Sequence, residues 1–344
     1  MRALVYEGPE RLEWREVPDP EPREGEALVR VRSVGICGSD MHAFLGHDER
    51  RPAPLILGHE AAGTVAGGAR EGARVTVNPL VGCGRCPACT SGRANLCPSR
   101  QILSMPPREG AFAGLVAVPE ANLVDVPDDV SFDRAALAEP LACGWHAVRL
   151  AVRHDADALR GGACVVIGGG AIGLGAALAL RAHGAKRVAV AEPNAARRES
   201  VARAGFEAFD PAAPGPTAPG PARPGPVADG TASVVIDGVG YAATRAHACQ
   251  LAAPGGIILH IGLGSAEGGI DVRRLTLAEI TFTGTYTYTP DDFRETARAI
   301  FDGRLGALDW VEARPLRDGA RAFADIRAGR AAAPKIILKP EGED

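Results

Sequence analysis

A chain of 344 residues exceeds one ordinary core and suits two domains of roughly 100 to 200 residues each. Its 46% hydrophobic and 23% charged content is that of a globular protein, and a net charge of only -4 leaves no basic field for nucleic acid and no polybasic membrane patch. MRALVYEGPERLEW lacks the cationic start and apolar run of a secretory signal, and no apolar stretch reaches the ~18 residues of a membrane span, so a cytoplasmic protein is expected.

Up to about His146, short β-like runs such as Ala27 to Val34 and Ala73 to Val77 are punctuated by Gly and Pro, which predicts an irregular, mostly β domain. Within it, GICGSDMH brings Cys37, Ser39, Asp40 and His42 close together in the chain, and LGHEAAG adds His59 and Glu60. The stretch VGCGRCPACTSGRANLC then carries Cys83, Cys86, Cys89 and Cys97. Four thiolates on one short loop can wrap a tetrahedral ion, and a closed all-sulfur set describes a structural zinc. Gly82, Gly84 and Gly92 permit the turns of such a wrap. In a reducing compartment clustered cysteines bind metal more often than they pair, so disulfides are the alternative. A catalytic ion needs fewer and mixed ligands with an open position. LAEPLACGWH later supplies Glu139; one Cys, one His and one or two carboxylates drawn from these segments make such an open site, which sequence distance alone does not assemble.

From Ala163 the texture changes. CVVIGGGAIGLGAALALRAHGAKRVAVAEP reads as strand, glycine turn, Ala-rich helix and second strand, the alternation of a parallel sheet with crossover helices. Gly168, Gly170 and Gly173 form GxGxxG between the strand Cys164 to Ile167 and the helix that Ala171 and Ile172 open. Such glycines let a pyrophosphate approach a helix N-terminus, whose free N–H groups bind anions. Glu192 follows the next strand, Arg187 to Ala191; a carboxylate there accepts hydrogen bonds from ribose hydroxyls and repels a 2′-phosphate, which favours NAD over NADP. Arg197 and Arg198 keep NADP open, because a guanidinium pairs with that phosphate. Pro211 to Gly230, PAAPGPTAPGPARPGPVADG, is too poor in large apolar residues to bury a face and is expected to be a surface loop. Strands are expected at Ser233 to Asp237, Gly256 to Ile261 and Ile280 to Tyr286. A helix follows over Asp291 to Gly303, with Phe293, Ala297, Ile300 and Phe301 on one face.

Cys37-Gly-Ser-Asp, Gly58-His59-Glu60, the four-cysteine loop, Glu139-Pro-Leu and the glycine-rich turn occur in the order seen in zinc-dependent medium-chain dehydrogenases. The chain resembles that family over essentially its whole length and looks closest to the polyol and sugar branch, beside sorbitol, butanediol and threonine dehydrogenases. The Pro-rich loop is the main departure. The resemblance implies an α/β protein: a GroES-like β-rich catalytic domain, residues 1–148 and 287–344, and a Rossmann doubly wound parallel-sheet cofactor domain, residues 149–286. The catalytic domain would hold the structural zinc loop, residues 83–97, and substrate would lie between the two domains.

The same resemblance makes Cys37 and His59 direct ligands of a catalytic zinc, with Glu60 and Glu139 as carboxylates bound directly, through water or in exchange. Cys143 is the alternative to Glu139, whose position holds a cysteine in the alcohol dehydrogenase branch. Asp40 would accept the other ring N–H of His59, and Ser39 with His42 would relay the alcohol proton. The implied activity is hydride transfer between NAD and a secondary alcohol, namely a polyol, sugar alcohol or vicinal diol, by a homodimer or homotetramer carrying two zinc ions per chain. The alternatives are a sugar acid or sugar phosphate dehydrogenase with Arg108 on the anion, a general alcohol dehydrogenase, and a zinc-free quinone or enone reductase of the same fold. A zinc-ribbon nucleic-acid module explains the four cysteines but leaves GxGxxG and Glu192 without a role.

Overall fold

The computed structural model describes residues 1–212 and 226–340. Most of the Pro211 to Gly230 loop, residues 213–225, therefore lies outside the described residues. The chain divides into two compact units, one of Met1–Pro140, Thr289–Arg304 and the chain from Val311, the other of Leu141–Tyr288 with Leu305–Trp310.

The first unit is built on the strand Glu26–Gly35. Ala27, Val29 and Val31 are buried while Arg30 faces solvent, the period-two pattern of a half-buried strand. This strand pairs antiparallel with Leu115–Pro119, with Glu60–Val65 and with Lys335–Lys339. The apolar faces close over a core that includes Leu4, Val29, Phe112 and Phe323, the last two in edge-to-face contact at 5.9 Å between ring centres. The β-rich domain expected from the first third of the chain is present.

One junction positions the chemistry. Gly35 is the register partner of Glu60 on one side and of Ile337 on the other. A side chain at Gly35 would bring its Cβ to 1.9 Å from Glu60 Oε2, so only glycine lets that carboxylate lie against the strand. Two residues after Gly35 the chain turns into the helix Gly38–Phe44, with Cys37 at its N-cap.

The second unit holds six parallel strands. Counted along the unit, their spatial order is third, second, first, fourth, fifth, sixth: Glu207–Phe209, Val188–Ala191, Ala163–Ile167, Ala232–Asp237, Ala252–His260 and Thr281–Gly284. This is the doubly wound order, whose ligand crevice lies where the order reverses, at the carboxyl ends of the first and fourth strands. Ala163–Ile167 is buried throughout, as a central parallel strand must be. The expected strand at Ile280 to Tyr286 ends at Gly284, and the one expected from Gly256 begins at Ala252. Pro290–Phe301, in the first unit, is the expected helix, capped by a Thr289–Asp292 box, with Phe293, Ala297 and Ile300 buried and Phe301 half-buried. Among the described residues no helix is long and apolar enough to cross a membrane.

Candidate active site

Cys37, His59 and Glu60 offer three ligand atoms within 4.8 Å of one another, one each of sulfur, nitrogen and oxygen. The strand pairing explains the meeting: Cys37 lies two residues beyond the end of one strand, while Glu60, with His59 just before it, opens its neighbour. Glu60 is fully buried and takes Lys335 Nζ on Oε1 at 2.6 Å, and that ammonium also donates to Ile36 O at 2.8 Å. The second oxygen, Oε2, is buried without a hydrogen-bond partner. An orphaned anionic oxygen beside a thiol and an imidazole is a costly arrangement that a cation completes, so the donor set fits a zinc ion with an open position. Burial opposes the charge on Lys335, yet Glu60 and then Cys37 hold its pKa above the ordinary value, with Glu139 adding to the effect. Glu139 itself is buried in the first turn of the helix Ala138–His154 and lies outside the three-residue cluster.

Asp40 Oδ1 lies 3.4 Å from His59 Nδ1 and accepts from Gly58 N at 3.2 Å, while Oδ2 accepts from Cys37 N at 2.9 Å. Burial alone would raise the Asp40 pKa and depress that of His59. Their mutual attraction reverses both shifts: His59 and Arg51 lower Asp40, and Asp40 and Cys37 carry His59 well above its usual value. Ser39 Oγ sits 3.4 Å from His59 Nε2. His42 is exposed one turn further along the same helix. Three residues of this neighbourhood were not singled out by their motifs: Lys335, Arg51 and Ser104. Ser104 Oγ lies 3.2 Å from His59 Nδ1, and Arg51 donates to the Ser104 carbonyl at 2.9 Å. Arg108 is neither a solvated side chain nor an available anion holder. It is nearly buried, paired with Glu26 at 2.8 Å and hydrogen-bonded to Gln101 at 2.7 Å.

The sulfur atoms of Cys83, Cys86, Cys89 and Cys97 also gather within 4.8 Å of one another. Those of Cys83 and Cys89 are 4.0 Å apart, about twice a disulfide bond length. Gly84 and Gly92 adopt positive φ at the turns, and a Cβ on Gly82 would press to 3.0 Å from Cys89 Sγ. The backbone N–H groups of Arg85 and Cys86 point at Cys83 and bring its pKa down to about 6, whereas burial and the neighbouring thiols push Cys89 up to about 11. Amides aimed at a sulfur stabilise the thiolate that a metal needs. The set fits one closed tetrahedral zinc.

In the second unit Gly168 turns the chain at φ 100, and a Cβ on Gly173 would stand 1.8 Å from the Gly168 carbonyl oxygen. The turn therefore requires glycine at 173. Gly170 caps the helix Ala171–Ala182, with Ala171 and Ile172 half-buried in its first turn. Glu192 is buried beside this turn, accepting from Gly169 N at 2.7 Å and from Asn194 N at 2.8 Å. Arg198 donates to the carbonyls of Glu192 and Pro193 and pairs with Asp210 at 3.2 Å, whereas Arg197 is exposed. Cys143 is half-buried in the helix Ala138–His154 and is not part of the three-residue cluster.

Comparison with known proteins agrees with this geometry. Residues 23–128 match the alcohol dehydrogenase GroES-like domain, and residues 171–302 match the zinc-binding dehydrogenase family. L-galactonate-5-dehydrogenase of Escherichia coli K12 is 35% identical over 314 residues, 89% of this chain and 89% of that protein. Sorbitol dehydrogenase of Bacillus subtilis 168 is 36% identical over 215 residues, 60% of this chain and 59% of its own. A structure from Sinorhizobium meliloti 1021, assigned to the zinc-binding dehydrogenases and bound to NADP, aligns with a TM-score of 0.86 at 29% identity, covering 98% of this chain and 99% of that one. The chain belongs to the zinc-dependent medium-chain dehydrogenases, and it is an oxidoreductase.

Proposed function

We propose that the protein is a cytoplasmic homo-oligomeric dehydrogenase that oxidises one secondary hydroxyl of a polyol, sugar alcohol or sugar acid with NAD. The observation that carries the reading is the Cys37, His59 and Glu60 cluster with its unpartnered carboxylate oxygen. Cys37, His59 and Glu60 would hold the catalytic zinc, with Glu139 as the exchanging carboxylate, and Cys83, Cys86, Cys89 and Cys97 would hold the structural one. Residues 1–148 and 287–344 are then the catalytic domain and residues 149–286 the cofactor domain.

When bound, the zinc supplies Lewis-acid polarisation of an alcohol oxygen and the dinucleotide supplies the hydride acceptor. Lys335 holds Glu60 by one oxygen and leaves the other for the ion. Asp40 keeps the His59 ring turned. Ser39, half-buried in the first helical turn, offers its hydroxyl to the leaving proton, and the exposed His42 hands that proton to water. The glycine turn receives the pyrophosphate at the helix N-terminus, and Glu192 faces the adenosine ribose.

A carboxylate in place of a second sulfur makes the donor set harder and suits a substrate with several hydroxyls, because a neighbouring hydroxyl adds binding that a simple alcohol cannot match. The substrates named for the two relatives, L-galactonate and sorbitol, are polyhydroxylated. The test compares kcat/KM for a hexitol or hexonate with that for a secondary mono-alcohol of equal carbon number. The polyhydroxylated substrate is expected to win. Preference for the mono-alcohol by about tenfold, ~1.4 kcal/mol of transition-state binding, points instead to a general alcohol dehydrogenase.

The coenzyme preference has its own test. The buried Glu192 carboxylate excludes a 2′-phosphate, and Arg198 is engaged by Asp210. Glu192→Ala is expected to lower kcat/KM for NAD by about tenfold and to raise that for NADP, since one charge-assisted ribose contact is lost and one repulsion removed. A wild type that prefers NADP overturns the assignment.

A further inference from the structure

Ser104 carries a role that its sequence neighbourhood does not announce. It is completely buried and stands at φ 66, the left-handed region that glycine occupies freely and serine only under strain. Its hydroxyl meets His59 and its carbonyl meets Arg51. The hydroxyl oxygen lies 3.2 Å from His59 Nδ1, and the carbonyl takes Arg51 Nε at 2.9 Å. Arg51 is itself buried, paired with Asp48 at 2.5 Å, and reaches Ser39 with Nη1 on the carbonyl at 3.4 Å and Nη2 on the hydroxyl at 3.5 Å. One guanidinium therefore ties the backbones of Ser39 and Ser104, the two serines that flank the His59 ring at Nε2 and Nδ1.

We infer that Ser104 is a second positioning residue for His59, sharing the Nδ1–H with Asp40 and held in its strained backbone conformation by Arg51. The aspartate approaches Nδ1 at 3.4 Å, a long contact for a ring that must be held in one plane. A second oxygen at 3.2 Å closes the other side of that N–H. With the proton confined to Nδ1 between two oxygens, the ring cannot turn about its Cβ–Cγ bond without losing both partners, and Nε2 is left as the ring nitrogen that can bind a metal. Such outer partners typically govern metal affinity by 10- to 100-fold.

The inference rests on His59 being a zinc ligand, and the test separates the two claims. Zn2+ dissociation constants are measured on the full-length protein by competition with a chromophoric chelator for wild type, Ser104→Gly, Ser104→Ala and Cys37→Ser, together with melting temperatures. Ser104→Gly removes the hydroxyl while relieving the positive φ, so it is expected to bind the weaker-held zinc about tenfold less tightly without melting below wild type. Ser104→Ala keeps the strain and is expected to weaken zinc equally. Wild-type zinc affinity in Ser104→Gly, with affinity lost in Cys37→Ser, overturns the role of Ser104. Weakening confined to Ser104→Ala overturns it as well, because strain alone would then account for the effect. Undiminished affinity in Cys37→Ser contradicts the metal assignment itself.

Discussion

Cys37→Ser is expected to yield a folded protein, melting within a few degrees of wild type, whose kcat falls by about 10³-fold or more. The backbone of Cys37 does its structural work without the sulfur: its N–H donates to Asp40 Oδ2 at 2.9 Å, and the residue caps the helix Gly38–Phe44 with an ordinary extended φ of -92. Serine is a favoured N-cap and keeps those contacts. The change removes a soft anionic ligand from a set of three and leaves His59 without one of the two charges that face it. Lewis-acid activation contributes several kcal/mol, and 10³-fold corresponds to ~4 kcal/mol. Steady-state turnover and a thermal melt check both halves. Retained turnover would show that the chemistry does not depend on this ligand and would favour the zinc-free reductase reading.

Cys97→Ser is expected to do the reverse, lowering the melting temperature by ten degrees or so while removing about half the zinc. Cys97 is fully buried, accepts from Cys83 N at 3.5 Å, and belongs to a loop whose regular structure is one short helix, Pro87–Thr90, and one 3-10 turn, Ala94–Leu96. So little hydrogen-bonded backbone does not hold a loop of this length, and the metal must contribute its folding free energy. A loss of at least ~3 kcal/mol follows from the usual cost of breaking such a site. Calorimetric melting with metal analysis tests it, and a wild-type melt with full zinc would remove the structural role from the four cysteines.

The contrast between these two sites shows why some chemistry was legible in the chain and some was not. The four-cysteine loop and the GxGxxG turn are local: every sulfur or glycine that matters lies within one short segment, so spacing alone describes the geometry. The catalytic cluster is half local. Cys37 and the His59–Glu60 pair are readable as motifs, but their meeting depends on the register of Gly35 against Glu60. Lys335 comes from the last described strand and reaches the site only through the pairing of Gly35 with Ile337. A lysine opening the apolar run KIILK was the one available sign of a buried cation. Arg108 misleads for the same reason, since its partner Glu26 is 82 residues away. The helix Ala138–His154 opens on AEPLA with its proline in the first turn, which a helix tolerates.

The central claim is that zinc at Cys37, His59 and Glu60 enables hydride transfer from a polyhydroxylated alcohol to NAD. Its most direct test follows NADH formation from a hexitol or hexonate by wild-type enzyme as the accessible zinc is withdrawn with a chelator and then returned. The account predicts that turnover falls in proportion to the first zinc removed, while the fold persists, and that stoichiometric Zn2+ restores it. NADH formation that continues undiminished after that zinc has gone would contradict it.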